Sequence, residues 1–150
     1  MADDAVYDAV KAYLSDAANV AVLADPATGI VPPFRWENEN FVKPDPPAPW
    51  ISVAIMGVVY GQQSIGASDQ ADNLWEETGH LWLPVFVPTG SGASRARQLA
   101  RRLQNIFRGL TLLDGDIEFM ECFTPEGAPA PEEGNWFKLE FAVEWRRLEA

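Results

Sequence analysis

Residues 93–108 read Ala-Ser-Arg-Ala-Arg-Gln-Leu-Ala-Arg-Arg-Leu-Gln-Asn-Ile-Phe-Arg, and this stretch decides the fold. Its apolar side chains recur every three or four residues, at Ala96, Leu99, Ala100, Leu103, Ile106 and Phe107. That spacing places them on one face of a helix. Ser91 or Ser94 can cap the start of this helix, and Gly109 fits its end. The stretch predicts an amphipathic helix whose apolar face covers a sheet.

The opposite face of this helix is basic. No Asp or Glu occurs from Gly79 to Leu113, whereas five arginines do: Arg95, Arg97, Arg101, Arg102 and Arg108. From Asp114 to Ala150 the chain has ten acids and three bases. A subunit with a basic and an acidic surface can stack on copies of itself, because the guanidinium fork binds carboxylates well. We assign the five arginines to a subunit interface as a hypothesis; a solvated helix face is the alternative.

The flanking segments predict one further helix and several strands. Val6, Val10 and Leu14 share one face of a helix over Asp4–Ser15. Alternation of apolar and polar side chains predicts strands at residues 50–60, 74–87, 117–123 and 136–147, with a short one near Phe34–Glu37. Residues 1–150 are therefore predicted to form a single α+β domain. Its two layers are a mainly antiparallel or mixed β-sheet and two helices packed on one face.

Three segments read as connections. Residues 32–50 hold six prolines, so they are predicted to run extended over the surface. Residues 61–73 are small and polar, which predicts a long mobile loop between two strands. Residues 124–135 are rich in Pro, Gly and Glu and predict another loop.

Composition excludes several classes of protein. The 150 residues are 47% apolar, enough for a core, and carry a net charge of −11, which opposes specific DNA binding. Cys122 is the single cysteine, so neither a disulfide within the chain nor a cysteine-based zinc site can form. No apolar run approaches the roughly 20 residues of a membrane helix. The acidic N-terminus is unlike a secretory signal, and we expect synthesis in a reducing cytoplasm.

No residue cluster predicts catalysis, a metal site or a cofactor. His80 is the single histidine, and neither its surroundings nor those of Cys122 match a nucleophile signature. Asp114, Asp116 and Glu118 alternate as in a calcium loop, but the later ligands are missing. Gly90-Ser91-Gly92 lacks the lysine of a phosphate-binding loop. We expect a protein that is not an enzyme.

The whole pattern resembles a known family. The resemblance rests on the N-terminal helix, the proline-rich run ending in Pro49-Trp50-Ile51-Ser52-Val53, the strand Gly79-His80-Leu81-Trp82-Leu83-Pro84-Val85, the helix from Ala96 to Phe107, and the final Val143-Glu144-Trp145-Arg146. In order and length the chain is similar to the tail terminator proteins of long-tailed bacteriophages and related gene transfer particles.

This resemblance implies a hexameric ring in the virion, at the head-proximal end of the tail tube. The ring would stop tube polymerisation and meet the head–tail connector, while DNA passes through without specific binding. No membrane and no cofactor are implied. By analogy, contact with the tail tube protein would fall on the loop, at Gln62, Gln63, Ser64, Ile65, Ser68 and Asp69.

Two other functions stay open at this point. A head-completion or neck adaptor protein would share most of these features. A small-ligand-binding domain is the other alternative, because six tryptophans could line an aromatic pocket. A six-fold assembly would favour the terminator, and a stable monomer would favour the binding domain.

Overall fold

The computed structural model describes residues 3–124 and 132–149, which form helices and two five-stranded sheets. The helices are α1 (Asp4–Ser15), α2 (Ala17–Val20) and α3 (Ser94–Phe107). The first sheet has the order β1-β2-β5-β9-β8 and the second β3-β4-β10-β7-β6. In chain order the strands are β1 (Phe34–Arg35), β2 (Trp50–Ser52), β3 (Ala54–Gln62), β4 (Trp75–Trp82), β5 (Val85–Pro88), β6 (Thr111–Leu112), β7 (Ile117–Phe123), β8 (Glu132–Glu133), β9 (Trp136–Leu139) and β10 (Ala142–Glu149). The predicted α+β class is confirmed.

Both predicted helices form, with one error at a cap. α1 spans the predicted residues, and the Val6 N–H donates to the side chain of Asp3 at 3.1 Å. α3 buries its predicted apolar face against strands β5, β7 and β9. It begins after Ala93, with no side-chain cap, because the Ser91 hydroxyl donates to the Pro88 carbonyl instead. The predicted serine cap is therefore wrong, whereas Gly109, at φ 74°, takes the left-handed conformation expected after a helix end.

Three predicted strands each divide between the two sheets. The break falls at Val53 between β2 and β3, at Leu83-Pro84 between β4 and β5, and at Glu140-Phe141 between β9 and β10. The breaks lie side by side: the Ser52 N–H donates to the Pro84 carbonyl at 3.0 Å, and the Leu83 N–H to the Phe141 carbonyl at 2.8 Å. Pro84 lacks an N–H and cannot continue the ladder. The three segments β2–β3, β4–β5 and β9–β10 therefore bend side by side, where the first sheet meets the second.

One hydrophobic core runs through this bend. It joins α1 and α3 to the inward side chains of both sheets, including Ile51, Val53, Leu83, Val85 and Val143. A second cluster lies on the first sheet, where the Trp50 ring stacks on Phe86 at 3.9 Å and meets the edge of Trp136 at 5.9 Å. These aromatic rings pack on one another, as core residues do.

The proline-rich segment follows the first sheet. β1 pairs in parallel with β2, which confirms the short predicted strand, and the Ile51 N–H donates to the Pro33 carbonyl at 3.0 Å.

Of the predicted loop at 124–135, residues 125–131 lie outside the described residues. No helix of the described part is long and apolar enough to cross a membrane.

Candidate assembly surfaces

The four arginines of α3 and Arg108, which follows it, do not share one surface. The three guanidinium nitrogens of Arg95 are buried, beside a cavity of about 680 Å³ that the proline-rich segment lines. Arg102 donates from Nη1 to the Ala24 carbonyl at 3.1 Å and so ties α3 to the chain after α2. Arg97, Arg101 and Arg108 are exposed. The polar face predicted as one interface thus divides into an internal part and an external part.

Arg97 and Arg101 line a groove beside the end of β7. The groove has a volume of about 380 Å³, and its other walls include Phe123, Thr124 and Glu140. Nη1 of Arg101 also donates to Oε1 of Gln104 at 3.0 Å, which holds the guanidinium along the helix surface. Two exposed arginines over a half-apolar groove can receive carboxylates from another molecule.

The predicted loop between β3 and β4 begins two residues later than expected and contains internal hydrogen bonds. β3 continues to Gln62, and the Gln63 N–H donates to the Leu74 carbonyl at 2.8 Å. Inside the loop the Leu74 N–H donates to Oγ of Ser64 at 2.8 Å, and the Ala67 N–H to the Asn73 side chain at 3.1 Å. Ile65 stands at the surface with 91% of its area exposed. Composition alone gives no indication of these hydrogen bonds, two of which link a particular side chain to a backbone group.

Gln63, Ser68 and Asp69 are exposed in this loop, while Gln62 and Ser64 are partly buried by internal hydrogen bonds. The side chain of Asp69 accepts from the Ala71 N–H at 3.0 Å and caps the short 3-10 helix Gln70–Asp72. Ile65 is the main exposed apolar group of this loop.

A surface that sequence analysis missed lies on β3. Its side chains Met56, Val58, Val59 and Tyr60 are all exposed. β3 ends the second sheet, so its outer edge has no neighbouring strand within the described residues. In sequence the run from Ile55 to Tyr60 is apolar at positions of both faces, which is the pattern of a strand covered on both sides.

His80 and Cys122 occupy ordinary structural positions. The His80 ring lies against the rings of Trp82 and Phe123, with centroids 6.3 and 5.1 Å apart. Burial raises the pKa of the Cys122 thiol, which is the opposite of what an activated nucleophile needs. The residues described include no group of three or more side chains that could hold a metal ion.

The cavity beside Arg95 does not match the aromatic pocket considered from the sequence. Its walls are prolines, Ile30, Val31, Val42 and polar residues, with no tryptophan among the described lining residues. Trp50, Trp136 and Trp145 are buried in packing contacts instead.

Comparison with known proteins gives a family match over almost the whole chain. A family model described as "Phage tail terminator protein" matches residues 5–145, which include α2, α3 and all of α1 but its first residue. No curated protein matches. One solved structure is similar over 98% of this chain and 96% of its own, with a TM-score of 0.58 and 18% sequence identity. That structure supports the fold alone.

Proposed function

This chain belongs to the phage tail terminator family and has a structural role in the phage tail, and we propose that it caps the head-proximal end of the tail tube. The family match over residues 5–145 is the observation that carries this proposal. On this account residues 1–150 act as one domain, and six copies form a ring. The ring stops tube polymerisation and gives the head–tail connector a surface to bind.

The charge of the chain suits a ring around DNA. The net charge of −11 is repeated in every copy, so a ring of these copies as a whole repels the phosphate backbone. Repulsion lets DNA pass without stable binding. We propose no sequence-specific DNA contact and no catalytic step.

Two surfaces receive separate roles in this proposal. The groove with Arg97 and Arg101 contacts the neighbouring subunit, because it offers two exposed guanidinium groups next to apolar walls. The β3–β4 loop, with Ile65 exposed, contacts the tail tube. Arg95 and Arg102 act inside the subunit, since their guanidinium groups are buried or bonded to the backbone.

Growth of the tail tube tests the capping role. The purified protein is added to polymerising tail tube protein, and tube lengths are measured by negative-stain electron microscopy. We expect growth to stop from one end, so that mean length falls as the protein concentration rises. Unchanged lengths at saturating protein would contradict the proposal.

Reversing two charges in the groove tests the subunit contact. The double variant Arg97→Glu/Arg101→Glu is expected to weaken assembly by about a hundredfold, since two attractive charge contacts become repulsive. Native mass spectrometry measures the fraction of assembled rings across a dilution series. The subunit should stay folded, because both side chains are exposed.

The matched control is Arg35→Glu/Lys43→Glu, which changes the net charge equally at two exposed positions outside the groove. Assembly of this control should remain close to that of the original protein. Equal weakening of both variants would mean that overall charge, and not the groove, governs assembly.

A further inference from the structure

The outer edge of β3 has no charge of its own. An edge strand leaves the N–H and C=O groups of every second residue without a partner, and natural proteins protect such edges with charges, prolines, bulges or very short strands. β3 is nine residues long, and its sequence Ala-Ile-Met-Gly-Val-Val-Tyr-Gly-Gln contains neither a charge nor a proline. The nearest charged residues in sequence are Asp45 and Asp69. A charge that protects this edge must therefore come from a distant part of the chain.

Glu37 brings a carboxylate to this edge. On the side of β1, the Val53 N–H donates to the Arg35 carbonyl at 2.9 Å. Two residues further along, the Ile55 N–H donates to Oε1 of Glu37 at 2.5 Å. The Glu37 side chain thus takes the place that a carbonyl group of β1 would hold if that strand continued.

A turn after β1 accounts for this exchange of backbone for side chain. The Glu39 N–H donates to the Trp36 carbonyl at 3.4 Å, and Asn38 has φ 52°. Asparagine tolerates this left-handed conformation better than most residues do. The backbone therefore leaves the edge after Arg35, while the Glu37 side chain stays beside it.

The helix α1 holds this turn in place. Nζ of Lys11 lies 2.6 Å from Oε2 of Glu39, and the Tyr7 hydroxyl donates to the same oxygen at 3.4 Å. The Trp36 ring packs edge-on against Tyr7, with centroids 6.1 Å apart, and Nζ of Lys11 lies 5.7 Å from the centre of the Trp36 ring. These contacts fix the residues on both sides of Glu37 and so position its carboxylate.

Beyond Glu37 the edge is apolar and uncovered. Val58 is 61% exposed and Val59 58%, and no strand covers Gly57–Gln62 within the described residues. A bulge lies between Gly57 and Val59, opposite β4, and a bulge of this kind bends a strand and hinders regular pairing. A long uncharged run of apolar residues pairs readily with strands of other molecules when nothing opposes it.

We propose that Glu37 is an edge guard, which keeps a strand of a second copy of this chain from pairing with β3. Its bonded oxygen occupies the Ile55 N–H, so an approaching strand would have to displace a charged group to pair there. Together with the bulge, this contact leaves no long regular run of free donors and acceptors. The guard is separate from the proposed capping of the tail tube and does not depend on it.

Hydrogen exchange tests the guard at a single amide. In Glu37→Ala the Ile55 N–H loses its partner, so its exchange should become at least about tenfold faster. Glu37→Gln removes the same charge but keeps an acceptor oxygen, and its exchange should stay close to that of the original protein. The amides of Ile51 and Val53 donate to backbone carbonyls and serve as references. Mass spectrometry with fragmentation to single residues measures all three amides.

Self-association tests the consequence for the whole molecule. Sedimentation velocity over a concentration series should show that Glu37→Ala forms larger species than the original protein, with an association constant at least about tenfold higher. Glu37→Gln should behave like the original protein. In Glu37→Ala/Val58→Lys a lysine protects the edge instead, so association should return to the original level while the Ile55 amide still exchanges rapidly. Circular dichroism verifies that each variant is folded.

Two results would overturn this inference. If Glu37→Ala keeps the oligomeric state of the original protein at every concentration, the β3 edge needs no guard. If Glu37→Gln associates as strongly as Glu37→Ala, the lost charge explains the effect and the bonded oxygen does not. Failure of the original protein to cap tail tubes would contradict the proposed function alone, since neither of these measurements uses tubes.

Discussion

Replacing Gly79 with alanine is expected to lower the free energy of unfolding by about 3 kcal/mol. Gly79 lies in β4 opposite the β3 bulge, and a Cβ there would overlap the carbonyl oxygen of Met56. It would also lie 2.6 Å from Cζ2 of Trp145, a ring that is fully buried. Neither a strand backbone nor a packed indole can move aside without disturbing the core. Urea denaturation at fixed protein concentration measures the loss.

Gly61→Ala provides the matched control in the same hairpin. A Cβ at Gly61 meets only Cγ1 of Val59, at 3.9 Å, which is an ordinary contact. We expect this variant to stay within about 0.5 kcal/mol of the original protein. If Gly79→Ala and Gly61→Ala lower the free energy of unfolding equally, Gly79 is not required for the close approach of β3, β4 and Trp145.

Replacing Trp145 with alanine is expected to lower the free energy of unfolding by about 4 kcal/mol. Trp145 is buried in β10, between the strands β4 and β7 that pair with it, and belongs to the core shared by both sheets. Removing the indole would leave a cavity that strands on either side cannot easily fill. Chemical denaturation followed by circular dichroism measures the effect, since it does not depend on tryptophan fluorescence.

Trp145→Phe separates packing from hydrogen bonding at this position. The Nε1 atom of Trp145 is buried without a hydrogen-bond partner in the described part of the chain. Phenylalanine therefore gives up no hydrogen bond and keeps much of the ring volume, so its cost should be roughly half that of alanine or less. A loss as large as that of Trp145→Ala would show that the indole N–H contributes to stability, against this account.

The helices could be predicted from sequence because their signals are local. Val6, Val10 and Leu14 in α1, and Leu99 and Leu103 in α3, recur at helical spacing and are all buried. The strand segments were also found, but not their division between two sheets. Inward side chains continue to alternate through each bend, as at Ile51, Val53 and Ile55, and all three belong to the same core. The alternation of inward and outward side chains therefore does not show where a strand changes the strand to which it is hydrogen-bonded.

The candidate assembly surfaces were predictable only in part. The arginines of α3 were identified by charge, but charge does not show that Arg102 bonds to the Ala24 carbonyl while Arg101 remains exposed. That difference depends on where a distant segment, the chain after α2, packs. The β3 edge was missed because a strand's place in a sheet is set by long-range pairing. Its exposed valines read, in sequence, like any buried strand.

Imaging the ends of purified tail tubes tests the central claim most directly. Cryo-electron microscopy of tubes incubated with the protein should show a ring of six copies on the head-proximal end alone. Averaged images should place the β3–β4 loops against the tube. Tubes that carry no ring at either end, or that bind the protein along their whole length, would contradict the account.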